Sequence, residues 1–76
     1  MSIVFAVCGD YIQLDQLLKA TGLCPSGGHA HAEIGAGRVR VDGAVEMRKR
    51  AKLRVGQLIR YGGDTIELIA GVLAEG

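Results

Sequence analysis

The sequence has few aromatic residues and few cysteines, and each scarcity narrows the classes of protein it can encode. There is no tryptophan, and only Phe5, Tyr11 and Tyr61 carry aromatic rings. A nucleic-acid binder with this composition would depend on charge and hydrogen bonds more than on base stacking. The two cysteines, Cys8 and Cys24, form no CxxC pair, which favours a reducing, cytoplasmic compartment over a disulfide framework.

Long hydrophobic runs are also missing. The apolar opening, residues 1–8, lacks a basic start and ends at Gly9-Asp10. It is too short for a signal peptide or a membrane span, and we interpret it as a β-strand. With 76 residues, 49% of them hydrophobic, the chain predicts a single small domain over residues 1–76. Such a domain buries about 60% of its unfolded surface and has little room for a deep catalytic cleft.

Charge is unevenly placed along the chain, although the formal net charge is only +1. Residues 38–60 contain eight of the nine basic residues and only two acids, Asp42 and Glu46. The segments before and after are mildly acidic. A concentrated basic segment on an acidic body indicates a polyanionic or acidic partner.

Two short helices are predicted in the first half. Leu14, Leu17 and Leu18 follow the spacing of one helix face, Asp15 is a candidate N-cap, and Gly22 is a natural stop.

A second helix is predicted to begin after Ser26, a further N-cap candidate, and to run to about Ala36, ending at Gly37. The connection between the two helices is short, so they must pack against each other.

Strand patterns follow the helices. Val39 and Val41 alternate with arginines, and Asp42-Gly43 is a strong hairpin signal. A two-residue loop and a longer bulged loop both fit, so the register is open. Three more segments with strand or turn character complete the pattern. They are the alternating run Ala51, Leu53, Val55; the turn Val55-Gly56-Gln57 into residues 58–61; and the turn Gly62-Gly63-Asp64 into residues 65–69. The tail, residues 71–76, has little to hold it and is predicted to be flexible.

The order of these parts resembles a known family. The matching positions are Leu14-Asp15, Leu18, Gly22, Ser26, Ala30, Ile34, Gly37, Val39, Val41-Asp42-Gly43, Val45, Val55-Gly56-Gln57 and Ile59. This ordered series resembles the S4 RNA-binding domain over roughly residues 11–69. The stretch 37–53 is similar to the short stand-alone bacterial members of that family, the YbcJ type.

The resemblance implies an α+β fold, in which a two-helix helix-turn-helix (an αL motif) packs on a small, mostly antiparallel β-sheet. It also implies that RNA lies along the second helix and the following hairpin. The chain departs from the family pattern on that helix. Gly27 stands where the family usually has arginine, His31 where a basic residue is frequent, and Glu33 where an apolar one is usual.

The basic run from Arg48 to Arg54 is the strongest candidate for RNA contact. In an extended chain its alternate residues point to one side, and no acid within the run offsets them. Phosphate neutralisation and counterion release would supply the affinity. The alternative is a solvated edge whose charges discourage aggregation. The RNA-binding residues that we predict are Ser26, Gly27, His31, Arg38, Arg40, Arg48, Lys49, Arg50, Lys52 and Arg54.

Two of these groups have alternatives of their own. Arg38 and Arg40 either extend the basic patch beside the Asp42-Gly43 turn or simply face water. The segment 26–28 either offers N–H groups to a phosphate or forms an ordinary first helical turn.

Metal binding and catalysis are not predicted. His29 and His31 with the two cysteines fit no zinc spacing, and we expect instead that one histidine contacts RNA. The acids have other uses, and no nucleophile–base pair emerges. We therefore expect no cofactor and no enzymatic activity.

The expected partner is structured RNA, such as ribosomal RNA or tRNA. The protein is expected to be a monomer, and the ribosome is a further candidate partner. The alternative is a module that docks an acidic protein partner.

Overall fold

Two helices lie against one face of a five-stranded sheet in the computed structural model, which describes residues 1–71. The helices are α1 (Leu14–Ala20) and α2 (Gly27–Gly35). The strands are β1 (Ser2–Val7), β2 (Ile12–Gln13), β3 (Val39–Val41), β4 (Ala44–Val45), β5 (Lys52–Leu53), β6 (Leu58–Tyr61) and β7 (Asp64–Ala70). The predicted α+β class and the first strand are confirmed.

The large sheet has the strand order β1-β7-β6-β3-β4. All of its pairings are antiparallel except that of β1 with β7. The strands β2 and β5 form a separate antiparallel ribbon, in which Ile12 pairs with Leu53. In the central strands β3, β6 and β7, buried residues alternate with more exposed ones, so one face of the sheet packs against the helices and the other does not.

The core lies between the helices and the sheet. The residues that are 0% exposed are Leu14, Leu17, Leu18, Ala30, Ile34, Val39, Ile59 and Ile66. The leucine spacing predicted for the first helix is confirmed, since all three leucines are buried. Apolar burial of this kind stabilises a domain by about 25 cal/mol per Å².

The hairpin between β3 and β4 closes with the shorter of the two loops considered. Val41 pairs with Ala44, which leaves only Asp42 and Gly43 in the turn. Both turn residues have positive φ, 52° for Asp42 and 86° for Gly43. This is the geometry that two-residue hairpins with the right-handed twist require, and aspartate and glycine tolerate it best.

The ends of α2 are as predicted, but the start of α1 is not. The Ser26 hydroxyl accepts a hydrogen bond from the His29 N–H at 3.1 Å, and Gly37 follows the helix with φ of 76°. The prediction of Asp15 as an N-cap is wrong, because α1 begins at Leu14 and Gln13 occupies the N-cap position. The N–H groups of Leu14 and Asp15 donate instead to the carbonyls of Ala51 and Lys49, both at 3.0 Å.

The same two hydrogen bonds account for a second difference from the prediction, in the basic run. The run from Arg48 to Arg54 is not a continuous extended segment, since only Lys52–Leu53 is strand and a turn occupies residues 49–50. The run bends at the point where the carbonyls of Lys49 and Ala51 accept hydrogen bonds from the start of α1. The alternation also stops early: Ala51 and Leu53 are buried, whereas Val55 is 50% exposed.

Gly71 is the last residue that the structure describes, and its N–H donates to the Val7 carbonyl at 3.0 Å. The rest of the tail that was predicted to be flexible, residues 72–76, lies outside the described part of the chain. Among residues 1–71, neither helix has the length and apolar character needed to cross a membrane.

Candidate nucleic-acid interface

Four cationic side chains of residues 48–54, called the basic loop below, converge on one surface concavity. Arg48, Arg50, Lys52 and Arg54 line it together with Ala51. Its volume is about 470 Å³, and all four cationic residues are exposed. The structure thus brings together most of the predicted RNA contacts of this segment in spite of the turn.

The backbone of the basic loop is fixed at both ends. Its start is held by the bonds from α1 to Lys49 and Ala51. Its end is held by Gln57, whose Oε1 accepts from the Arg54 N–H at 2.8 Å. The Arg54 Nη1 also donates to the Asp10 carbonyl at 3.4 Å. Cationic side chains on a fixed backbone lose less conformational entropy when they bind a ligand.

Arg48 differs from its neighbours because Glu46 engages it. Glu46 Oε2 accepts from both the Arg48 N–H and Nε at 3.0 Å, and Oε1 accepts from Nη2 at 3.2 Å. These hydrogen bonds hold the pKa of Glu46 below its usual value and raise that of Arg48. The expectation that no acid offsets this run holds only within residues 48–54, since an acid just before it offsets one arginine.

Tyr11 lies beside the basic loop, which the sequence did not indicate. The Lys52 Nζ is 4.9 Å from the centroid of the Tyr11 ring, a cation–π distance. Tyr11 lies close to Lys52 because it immediately precedes β2, which pairs with β5. No local pattern in the sequence could have signalled that pairing.

The predicted contacts on α2 have mixed surroundings. The Ser26 side chain is already used as the helix cap. Gly27 is half-buried, and a Cβ placed on it would meet nothing within 4 Å. The His31 Nε2 is 2.8 Å from Asp15 Oδ2, so the imidazole bridges α2 to the first turn of α1. His31 thereby sits near the basic loop, which contacts the same turn.

A second group of cations forms a separate concavity, of about 410 Å³. It is lined by Arg38, Arg40 and Arg60, called the arginine triad below, and by Gly43 and Gly62. None of these residues lines the first concavity. Arg38 and Arg40 therefore line a different concavity from that of the basic loop. Arg60 was missed as a site residue, although its alternation with buried Ile59 in β6 places it on the outer face.

Glu33, one of the departures from the family pattern, has a structural use on the inner side of the sheet. Its Oε1 accepts from the Tyr61 hydroxyl at 2.8 Å and from the Arg38 Nη1 at 3.4 Å. The Tyr61 hydrogen bond lowers the pKa of Glu33 and raises that of Tyr61. Burial raises the pKa of the neighbouring Cys24 thiol.

Within residues 1–71, no three side chains of histidine, cysteine, aspartate or glutamate come together as a metal-binding set. Both thiols are free, with Cys8 exposed and Cys24 buried.

Comparison with known protein families identifies the family to which this fold belongs. The model of the S4 domain matches residues 5–69. The chain belongs to the S4 domain family. The helix pair, the basic loop and the hairpin that follows α2 are all within the matched range.

Individual S4 relatives support the assignment. YbcJ of Escherichia coli (strain K12) is 42% identical over 60 residues, which cover 79% of this chain and 86% of YbcJ. A tyrosine–tRNA ligase of Ralstonia nicotianae is 40% identical over 55 residues, 72% of this chain but 14% of the ligase. The solution structure of E. coli YbcJ, described as revealing an αL motif involved in RNA binding, matches with a TM-score of 0.65. It is 36% identical, and the match covers 91% of this chain and 86% of YbcJ. The S4-type fold expected from the sequence is thereby confirmed.

Proposed function

We propose that this S4 domain is a non-catalytic binder of structured RNA, such as ribosomal RNA or tRNA, and that the basic loop is its principal contact. The observation that carries the proposal is the concavity into which Arg48, Arg50, Lys52 and Arg54 converge. Lys49, in the turn of the same loop, is exposed and adds a fifth cation.

RNA phosphates fit this concavity better than a small anionic metabolite does. Its cationic side chains are exposed and are distributed over seven consecutive residues. This arrangement suits a polyanion with repeated charges, whereas a small anion would need an enclosed site. Guanidinium groups bind phosphate oxygens through paired hydrogen bonds. With so few aromatic side chains, binding would follow the shape and backbone of the RNA more than its bases.

The outer surface of α2 would complete the contact. Its exposed positions include Gly28, Ala32 and Gly35, which have a methyl group or no side chain. An RNA backbone could approach such a helix closely, beside His31 and the basic loop. The E. coli YbcJ structure, with its αL motif involved in RNA binding, supports this use of the helix pair.

The test is titration of a fluorescent structured RNA by anisotropy over a series of salt concentrations. We expect log Kd to vary steeply with log salt, because each neutralised phosphate contributes about 0.7–0.9 to the slope. The triple substitution Arg48→Ala, Lys49→Ala, Arg50→Ala should weaken binding and reduce that slope by about 2–3. Lys19→Ala, at an exposed position on α1, is the matched control and should change neither.

A second candidate function is docking of an acidic protein partner. It is favoured by Met47 and Val55, which flank the basic loop and are 60% and 50% exposed. Exposed apolar side chains beside cations are typical of protein interfaces. If the chain bound no RNA even at low salt, this function would replace the first. Ribosome association, a monomeric state and a cytoplasmic location stay predictions.

A further inference from the structure

Two members of the arginine triad place like charges against each other without an acidic partner. Arg40 in β3 and Arg60 in β6 are directly opposite in the antiparallel register. Like charges at such positions destabilise a sheet. Among residues 1–71, neither arginine has an acidic group within 4.0 Å, and the Arg40 Nη1 donates to the Gly43 carbonyl at 3.4 Å.

The third arginine is only loosely neutralised. Arg38 lies 3.4 Å from Glu33, and its side chain is 65% exposed. Glu33 is also the acceptor of the Tyr61 hydroxyl, so its charge is shared. Glu67 is on the same face of the sheet, diagonal to Arg60, but it makes no ion pair there. Most of the positive charge of the triad is therefore not neutralised within the protein and is available to a ligand.

The shape of this concavity leaves room for that ligand. Its rim is formed by two glycines with positive φ, 86° at Gly43 and 62° at Gly62. A Cβ on either would meet nothing within 4 Å, so the space beside both turns is open. The absence of side chains lets an anion approach the backbone between the arginines.

Two arginines of the triad, Arg40 and Arg60, lie on a different side of the sheet from the basic loop. Arg40 and Arg60 alternate with Val39 and Ile59, which are fully buried beneath the helices. Arg40 and Arg60 therefore occupy the face that carries no helix, whereas Arg38, which precedes β3, reaches Glu33 of α2 at the edge of that face. The basic loop is bonded to the start of α1, on the helix side.

We propose that the arginine triad is a second RNA site, which holds the phosphates of a separate backbone segment of the same RNA. The inference rests on the proposed function, since it takes the basic loop as the first site. Three guanidinium groups around an open concavity of about 410 Å³ suit phosphate oxygens, which they bind in paired fashion. Occupancy would also relieve the repulsion between Arg40 and Arg60. The protein would then bridge two segments of a folded RNA.

The test compares a single RNA hairpin with an RNA of two joined hairpins, by anisotropy over a salt series. Wild-type protein should bind the two-hairpin RNA with the steeper salt dependence. Arg40→Gln with Arg60→Gln should remove the difference, which amounts to about 1.4–1.8 in slope for two phosphate contacts, and should weaken single-hairpin binding much less than two-hairpin binding. Arg54→Gln, in the basic loop, should weaken binding of both RNAs. Equal losses on both RNAs in the double variant, or no loss on either, would overturn the two-site arrangement.

A second measurement separates this proposal from the first. Inorganic tripolyphosphate is titrated into isotopically labelled protein, and backbone amide shifts are followed by NMR. Shifts at Gly43 and Gly62 that vanish in the double variant would support the anion site even if neither RNA bound. Unchanged amides at both glycines would overturn it, whatever the basic loop does. The spectrum of the double variant without ligand reports whether it is folded.

Discussion

Asp42 and Gln57 are joined by a hydrogen bond of 3.2 Å, from the Gln57 Nε2 to the Asp42 Oδ2. The other carboxylate oxygen of Asp42 accepts from the Leu58 N–H at 3.0 Å. Since Gln57 also holds the Arg54 N–H, the hairpin turn is connected through one side chain to the end of the basic loop. Two segments that the sequence presents as separate turns are thus held together by side-chain hydrogen bonds.

The first prediction concerns Asp42. Asp42→Ala should lower the free energy of unfolding by about 1–2 kcal/mol, because it removes two hydrogen bonds and puts alanine at positive φ. Asp42→Asn should lose less, since asparagine tolerates this conformation and keeps one acceptor oxygen. Urea denaturation of both variants measures the difference. Equal stability of the alanine variant and the wild type would show that the carboxylate has no structural role.

Much of the fold follows from local patterns. The leucine spacing, the Ser26 cap and the positive-φ residues each act over a few positions, so they can be read directly from the sequence. The start of α1 could not, because its first N–H groups bond to Lys49 and Ala51, more than thirty residues away. The same contact bends the basic loop, which local alternation predicted to be straight.

The candidate site was predictable to a similar degree. The concentration of cations in residues 38–60 identified most of the residues, but not their division into two concavities. That division depends on the pairing of β3 with β6, which sets Arg40 opposite Arg60 and which no local pattern in the sequence predicted. The engagement of Arg48 by Glu46 likewise depends on how the chain turns after β4.

The second prediction uses that ion pair. Glu46→Gln should raise the affinity for RNA by about three- to tenfold at low salt, because it removes a negative charge beside the basic loop and frees the Arg48 guanidinium. The amide oxygen can still accept from the Arg48 N–H, so the local backbone should persist. Anisotropy titration measures the gain, which should shrink as salt rises. If Glu46→Gln and wild type bound equally at every salt concentration, Arg48 would not contact RNA.

The third prediction concerns pH and the pair of Glu33 and Tyr61. The pKa of Glu33 is lowered on folding, mainly by the Tyr61 hydroxyl. Its ionised form therefore stabilises the fold above the ordinary value of 4.5, and this contribution is lost as pH falls through the lower folded value. Tyr61→Phe should be less stable than wild type near neutral pH, and the gap should narrow on acidification below pH 4.5.

The same pair predicts a loss at high pH. The pKa of Tyr61 is raised by Glu33 above its ordinary value of 10.0. The stabilisation is complete below that value and is lost as pH rises toward the folded pKa. The wild-type advantage over Tyr61→Phe should therefore shrink in alkali as well. Urea midpoints across the pH range test both limbs, and a gap that is independent of pH would contradict the argument.

The last prediction concerns Gly27, the first residue of α2. Gly27→Arg should strengthen RNA binding and steepen the salt dependence by about 0.7–0.9, the contribution of one phosphate contact. The fold can accept the side chain, because a Cβ at this position meets nothing within 4 Å. Stability should change by less than about 1 kcal/mol, since better helix propensity is offset by a cation at the positive end of the helix dipole. Gly27→Gln is the control, because it adds similar length without charge. Equal RNA binding by the arginine and glutamine variants would mean that the start of α2 lies outside the RNA contact.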